Sequence, residues 1–177
     1  DRDFFQESLK GKRVISPVVK SRVTGMPIFV VSAPVIKDGD EVGGVLAGSV
    51  PMEYFNKRFI DPIKVGETGY AYMYADNGTV IAHPDREYLM EMNIADSDFG
   101  AEMVGKEKGF ITYTYEGAEK MAAFRKLDIT NWSVAVAAHT SELVSPVRQI
   151  GYVSFILALF IVFIIAIVIS LIVRSIT

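Results

Sequence analysis

The residues able to do chemistry are few. The chain holds two histidines, His83 and His139, and no cysteine. A zinc hydrolase needs His-Glu-x-x-His on one helix, a serine hydrolase needs its nucleophile on a tight turn between glycines, and thiol catalysis needs a thiol. None of these patterns is present. Two histidines alone also lack the ligand spacing of a metal site. The sequence therefore reads as a non-enzyme and implies no cofactor and no metal. His83 stands before Pro84, where a hydrogen-bonding structural role is expected, and His139 closes a strand without an evident function.

The aromatic residues say more. Tyr70, Tyr72 and Tyr74 alternate with Ala71, Met73 and Ala75, which is the period of a strand. Tyr113 and Tyr115 repeat that spacing, and Phe124 follows in the next apolar run. Tyr70, Tyr72, Tyr113, Tyr115 and Phe124 could line a pocket, with Lys120 and Arg125 adding positive charge near that surface. The competing reading is plain packing, because tyrosines on a sheet commonly bury their rings against neighbours.

The elements that position them follow from pattern. Asp1 to Lys10 predicts a short helix capped by Asp1 or Asp3, with Phe4, Phe5 and Leu9 able to share a face and Gly11 as the stop. VISPVV, PIFVVSAPVI and VGGVLAGSV then predict a three-stranded antiparallel meander between Val14 and Val50. Gly43, Gly44 and Gly48 fall inside a strand and lack the spacing of a phosphate loop. Pro51 to Ile60 predicts a helix with Pro in its first turn, and Asp61-Pro62 marks a domain boundary. Asn77-Gly78 predicts a two-residue hairpin between Tyr70–Tyr74 and Thr79–Ala82. Short helices are expected over Asp85–Met92 and Asp98–Gly105. Strands follow over Gly109–Tyr115, Met121–Leu127 and Trp132–Ala138, with turns at Glu116-Gly117 and Ile129-Thr130-Asn131. A hairpin, helices and a three-stranded meander, in that order, make a PAS-like α+β fold, and the first unit matches only the second half of such a fold.

Ile150 to Val173 differs from all of this. It carries no charge and no proline, and as a helix of roughly 24 residues it would reach about 36 Å, enough for a hydrocarbon core about 30 Å thick. It predicts a transmembrane helix, entered from a helix over Ser141–Gln149. All 21 acidic residues lie within Asp1 to Val147 with 16 of the 18 basic ones, which leaves that polar part at −5. That balance, without a basic run, argues against nucleic acid. The chain begins with Asp1 rather than Met and is read as a piece of a longer protein, truncated at its N-terminus.

Three stretches carry a family likeness: VGETGYAYMYADNGTVIAHPD (65–85), GFITYTYEGAEKMAAFRKL with NWSVAVAAHTSEL (109–143), and RDFFQESLKGKRVISPVV with TGMPIFVVSAPVI (2–36). They resemble the extracytoplasmic double Cache sensor domains of bacterial transmembrane receptors, especially the methyl-accepting chemotaxis receptors. The resemblance implies the C-terminal half of a membrane-distal module over 1–60 and a membrane-proximal module over 61–147. It further implies a transmembrane helix over 148–174 and the start of a HAMP linker over 175–177. It places the sheets outside the cell membrane and the C-terminus in the cytoplasm. It implies a small-molecule ligand, a homodimer, and cytoplasmic signalling partners reached through an output domain beyond Thr177.

In that family many distal modules hold amino acids through an Arg, a Trp and a Tyr near the first helix, and a Tyr and an Asp on later strands. Arg2 matches the Arg. Phe4 and Phe5 take the Trp and Tyr positions, Val19 the strand Tyr, and Ser49 the Asp. The carboxylate holder is kept and the ammonium cage is lost, which points to a small carboxylate or another small polar molecule. An equal alternative makes Arg2 a surface ion-pair former and both phenylalanines core. The same sensor on a histidine kinase or a cyclic-dinucleotide enzyme is a sister reading, and a tail-anchored cytosolic protein is the competing class.

Overall fold

A computed structural model of the chain describes residues 2–37, 41–144, 154–162 and 165. The chain divides into two compact units, Asp1–His139 and Thr140–Thr177.

The first unit opens with α1 (Asp3–Leu9). Its N-cap is Arg2, in extended conformation and without a side-chain cap bond, so Asp3 does not cap it as expected, and Asp1 lies outside the described residues. Gly11, at φ +88°, ends it. The buried side chain of the helix is Ser8, whose hydroxyl meets that of Ser32 at 2.8 Å. Phe5 and Leu9 do not share the buried face, being 40% and 41% exposed.

The first sheet is built on β3 (Pro27–Ile36), with β4 (Val42–Pro51) along one edge. β1 (Val14–Ile15) and β2 (Val19–Lys20) share the other edge. The expected single run breaks at Ser16-Pro17 because proline cannot donate to the ladder. The Ser16 hydroxyl takes the Val30 amide at 2.9 Å, while its own amide donates to the Val30 carbonyl. The glycines at 43, 44 and 48 lie within β4. α2 (Met52–Phe55) follows with Pro51 as N-cap, and continues as a π-helical turn, Asn56–Ile60.

The second sheet runs β6 (Gly69–Tyr74), β10 (Ser133–His139), β9 (Ala118–Lys126) and β8 (Lys108–Tyr115), all antiparallel. β5 (Lys64–Val65) and β7 (Val80–Ala82) share the outer edge of β6. The β6–β7 connection is a three-residue loop, not the expected two-residue one. Ala75 accepts from Gly78, at φ +87°, and donates to Thr79, which makes a turn closed by a glycine bulge. Glu116-Gly117 does form a two-residue hairpin, with both residues at positive φ.

Only a 3₁₀ turn, Arg86–Tyr88, forms within the helix expected over Asp85–Met92, and Met90 at φ 62° breaks its continuation. A second 3₁₀ turn, Ile94–Asp96, precedes α3 (Asp98–Met103), which Ser97 caps through the Gly100 amide. One face of the second sheet buries Tyr72, Tyr74, Phe124 and Ile111 against Val80, Ile94 and Met103. The other face buries Met73, Ile81 and Trp132 against Phe29, Met52 and Ile60. Phe29 meets Trp132 edge to face at 5.3 Å and Phe55 at 5.9 Å. The result is an α+β fold of antiparallel sheets with short helices.

In the second unit, residues 140–144 and 154–162 are helical, and the latter are exposed and apolar but for Ser154. Among the described residues no helix is long and apolar enough to cross a membrane. Most of the expected transmembrane stretch, including 150–153 and 166–173, lies outside the described residues, as do 145–149 and 174–177.

Candidate functional site

Strand alternation puts Tyr70 and Tyr72 of β6, Lys120 of β9, and Tyr113 and Tyr115 of β8 on one face of the second sheet. Between them the register pairs small residues, Ala137 with Tyr70 and with Ala122, so the large side chains rise around an alanine centre. The chain after β7 closes over this face with His83, Pro84, Asp85, Tyr88 and Met92, and α3 adds Phe99. The cavity, partly open to solvent, measures about 330 Å³.

Its walls are aromatic and interlocked. Phe99 stacks on Tyr113 at 4.2 Å and 16°, and meets the edge of Tyr115 at 5.8 Å. The His83 ring lies edge-on to Tyr88 at 4.7 Å and to Tyr70 at 5.0 Å. His83 Nδ1 sits 3.0 Å from both the amide nitrogen and the carbonyl oxygen of Asp85, which ties the ring to its own loop. Through Nδ1 the ring makes one of these two hydrogen bonds, according to its tautomer, as the structural role predicts, and it also faces the cavity, which the sequence did not indicate.

Burial holds His83 below the ordinary imidazole range. Burial also raises Tyr70 and Tyr72, and pushes Tyr113 up to about 12, so near neutral pH these walls present protonated phenols. Inside them stands Lys120, only 8% exposed, its ammonium 5.0 Å from the Tyr115 ring centre and 5.7 Å from that of Tyr70.

Of the residues chosen from sequence, Tyr70, Tyr72, Tyr113 and Tyr115 line the cavity with Lys120. Phe124 lies on the same face but packs into the space over Gly109, where a Cβ would meet its ring at 2.6 Å, and it does not line the cavity. Arg125 projects from the opposite face of β9 and is exposed. Arg2, Phe4 and Val19 come together in a second, more open hollow of about 390 Å³ with Ser16, Lys20 and Arg22. Phe5 and Ser49 are not brought into it. His83, Tyr88 and Met92 were missed because turns carry no periodic signal, and Phe99 because α3 is too short to show which of its faces meets the sheet. Among the described residues no three His, Asp or Glu side chains are placed to hold a metal.

Comparison with known proteins places this architecture. Residues 1–147 match the family described as the Cache domain. The chain is 28% identical to the methyl-accepting chemotaxis protein McpA of Bacillus subtilis (strain 168), over 100% of this chain and 26% of McpA. It is 30% identical to TlpB of the same strain, over 80% of this chain and 20% of TlpB. The chain thus spans about a quarter or less of these relatives. The extracellular domain of mmHK1S-Z3, described as a histidine kinase, superposes with a TM-score of 0.69 at 16% identity, over 84% of this chain and 57% of that one. The ligand-binding domain of the amino acid chemoreceptor PctB of Pseudomonas aeruginosa PAO1, in complex with L-Arg, gives 0.62 at 16% identity, over 80% and 61%. At such identities the structural likeness speaks for the fold, and the matched family speaks for descent. The chain belongs to the Cache domain family, with methyl-accepting chemotaxis proteins of Bacillus among its homologues.

Proposed function

We propose that this chain is the extracytoplasmic ligand-sensing region of a transmembrane chemoreceptor, and that its ligand occupies the tyrosine-walled cavity. The observation that carries the reading is the cavity itself: about 330 Å³, walled largely by aromatic rings, with a mostly buried lysine inside a Cache fold. Pockets of that kind are the usual form of a small-molecule site. In this reading residues 1–60 and 61–147 are the distal and proximal modules. Ile150–Val173 crosses the membrane, residues 175–177 begin a HAMP linker, and homodimeric receptors pass the signal to cytoplasmic partners. The ligand named with the structurally similar PctB domain, L-Arg, makes small organic molecules the class to test. The likeness to mmHK1S-Z3 supports a second reading, in which the same sensor drives a kinase.

The test replaces the matching stretch of McpA with residues 1–177 and expresses the chimera in cells without other chemoreceptors. The expected result is biased swimming in a gradient of at least one small organic molecule, abolished by Tyr113→Ala. A chimera that inserts and localises normally yet responds to no compound would sink the sensory reading.

A further inference from the structure

The cavity contains a largely buried lysine that no carboxylate of the described residues pairs. Among the described residues Lys120 makes no ion pair. Lysine is rarely this buried without a partner. The stem of Lys120 is packed away, while its ammonium is not among the fully buried unpaired side-chain atoms and so meets the cavity's solvent, which a carboxylate could replace. The π faces of Tyr70 and Tyr115 offset part of the ammonium's lost hydration, but they supply no hydrogen-bond acceptor for its three protons.

The acidic residues on the wall do not fill that place. Asp85 Oδ1 accepts the Glu87 amide at 3.0 Å and caps the following turn. Glu116 stands exposed at the tip of the β8–β9 hairpin, with Oε1 3.4 Å from the Tyr88 hydroxyl. The protonated phenols around Lys120 add hydroxyls that can donate or accept, but no compensating negative charge. Positive charge, phenolic donors and flat apolar walls together describe a receptor for an anion with an apolar body. The volume is near the small end of ligand pockets, which run from about 300 to 1,000 Å³.

Building on the sensory reading of this cavity, we propose that Lys120 is the counter-ion of a small organic carboxylate whose apolar or aromatic body lies against Tyr70, Phe99 and Tyr113. The carboxylate completes the ammonium's hydrogen bonds, and the rings bury the rest of the ligand.

The test uses the full chain in detergent micelles near pH 7.5, with the ¹³C-methyl signal of Met92, a wall residue, as a reporter of occupancy. Benzoate and isovalerate are titrated against benzamide and isovaleramide, which keep shape and lose charge. The acids are expected to shift the Met92 signal saturably, with the amides at least about 30-fold weaker, the scale of a lost charged hydrogen bond. Lys120→Met should weaken acid binding by a similar factor, while Lys120→Arg, which restores charge and donors, should stay within about 10-fold of the parent. Equal affinity for acid and amide, or acid affinity unchanged in Lys120→Met, overturns the assignment of Lys120 and leaves the cavity reading standing. A shift of Met92 by L-alanine or glucose with the acids silent has the same meaning. Silence of Met92 toward every probe, charged, zwitterionic or neutral, overturns both.

Discussion

Arg86 and Asp61 face each other side-on, Nη1 to Oδ1 at 2.9 Å and Nη2 to Oδ2 at 2.6 Å. This bidentate pair joins the loop that walls the cavity to the residue just after the π-helical turn. Arg86 Nε also reaches Glu53 of α2 at 3.1 Å, and Nη1 donates to the His83 and Pro84 carbonyls at 2.6 and 3.0 Å. One guanidinium therefore fixes the His83–Asp85 segment against the helix that leaves the first sheet. Because the pair is about one-third exposed, its Coulomb energy is screened, and its value lies in geometry.

Replacing Arg86 with Met should lower stability by about 1–3 kcal/mol, the range for charged hydrogen bonds. It should also speed amide exchange at Leu89, Met90 and Met92, whose turn the clamp holds in place. Urea unfolding and hydrogen exchange read the two effects. Unchanged exchange in that segment would show that the clamp does not fix the cavity wall.

Stability should fall as the medium is acidified, in two separate windows. Burial keeps the His83 pKa below its ordinary value of 6.5, so the unfolded chain takes up the proton first. Below about pH 6.5 stability therefore declines, until folded His83 also protonates. Glu53 and Asp61 are lowered from 4.5 and 3.8 by hydrogen bonds to Lys57 and Arg86 respectively, and Glu7 is held to about 2 by Lys10 and Lys12. Their stabilisation is present above those ordinary values and is lost only as pH falls through the folded ones. Melting temperature against pH should show both limbs. His83→Gln should flatten the upper one alone, and a parallel shift of the whole curve would contradict this assignment.

The sheet half of the site was legible and the loop half was not, for a geometric reason. A strand has period two, so Tyr70 with Tyr72, and Tyr113 with Tyr115, had to share a side if they formed strands at all. The same rule separates Phe124 from Arg125, which occupy opposite faces of β9. The opposing wall comes from 3₁₀ turns and a left-handed Met90, where no period links His83, Tyr88 and Met92. Neighbours on a helix point about 100° apart, which explains why Phe4 lines the second hollow and Phe5 does not. Asn77-Gly78 marked a turn correctly but not its length, because the bulge glycine suits a three-residue loop as well as a two-residue one.

The Ser8–Ser32 hydroxyl pair anchors α1 on β3 with both side chains buried. Ser32 also donates to the Phe4 carbonyl at 3.3 Å, so its loss strands more groups than the loss of Ser8. Ser32→Ala should cost about 1–3 kcal/mol and Ser8→Ala about 1 kcal/mol. The double variant should cost less than the sum, since removing both hydroxyls leaves neither one unpaired by the other. Urea titration of the four proteins supplies the cycle, and strict additivity would mean the pair does not couple.

Gly100 shows what one methyl costs where backbone meets backbone. It stands in the first turn of α3, and a Cβ built there collides with the Ile94 carbonyl, which cannot swing aside as a long side chain could. Relief requires the 3₁₀ turn Ile94–Asp96 and α3 to separate, and Phe99, one residue earlier, is a wall of the cavity. Gly100→Ala should therefore destabilise by about 1–3 kcal/mol, the range for overpacking, even though alanine favours a helix. Gly44, in β4 with open space around its Cβ position, is the control, and Gly44→Ala should stay within about 0.5 kcal/mol. The stacked Phe99–Tyr113 rings give a second reading, since movement of α3 would alter their ring-current shifts in Gly100→Ala alone. Equal stability of the two alanine variants, with those shifts unmoved, would show that the Ile94–Gly100 contact does not set the position of the cavity wall.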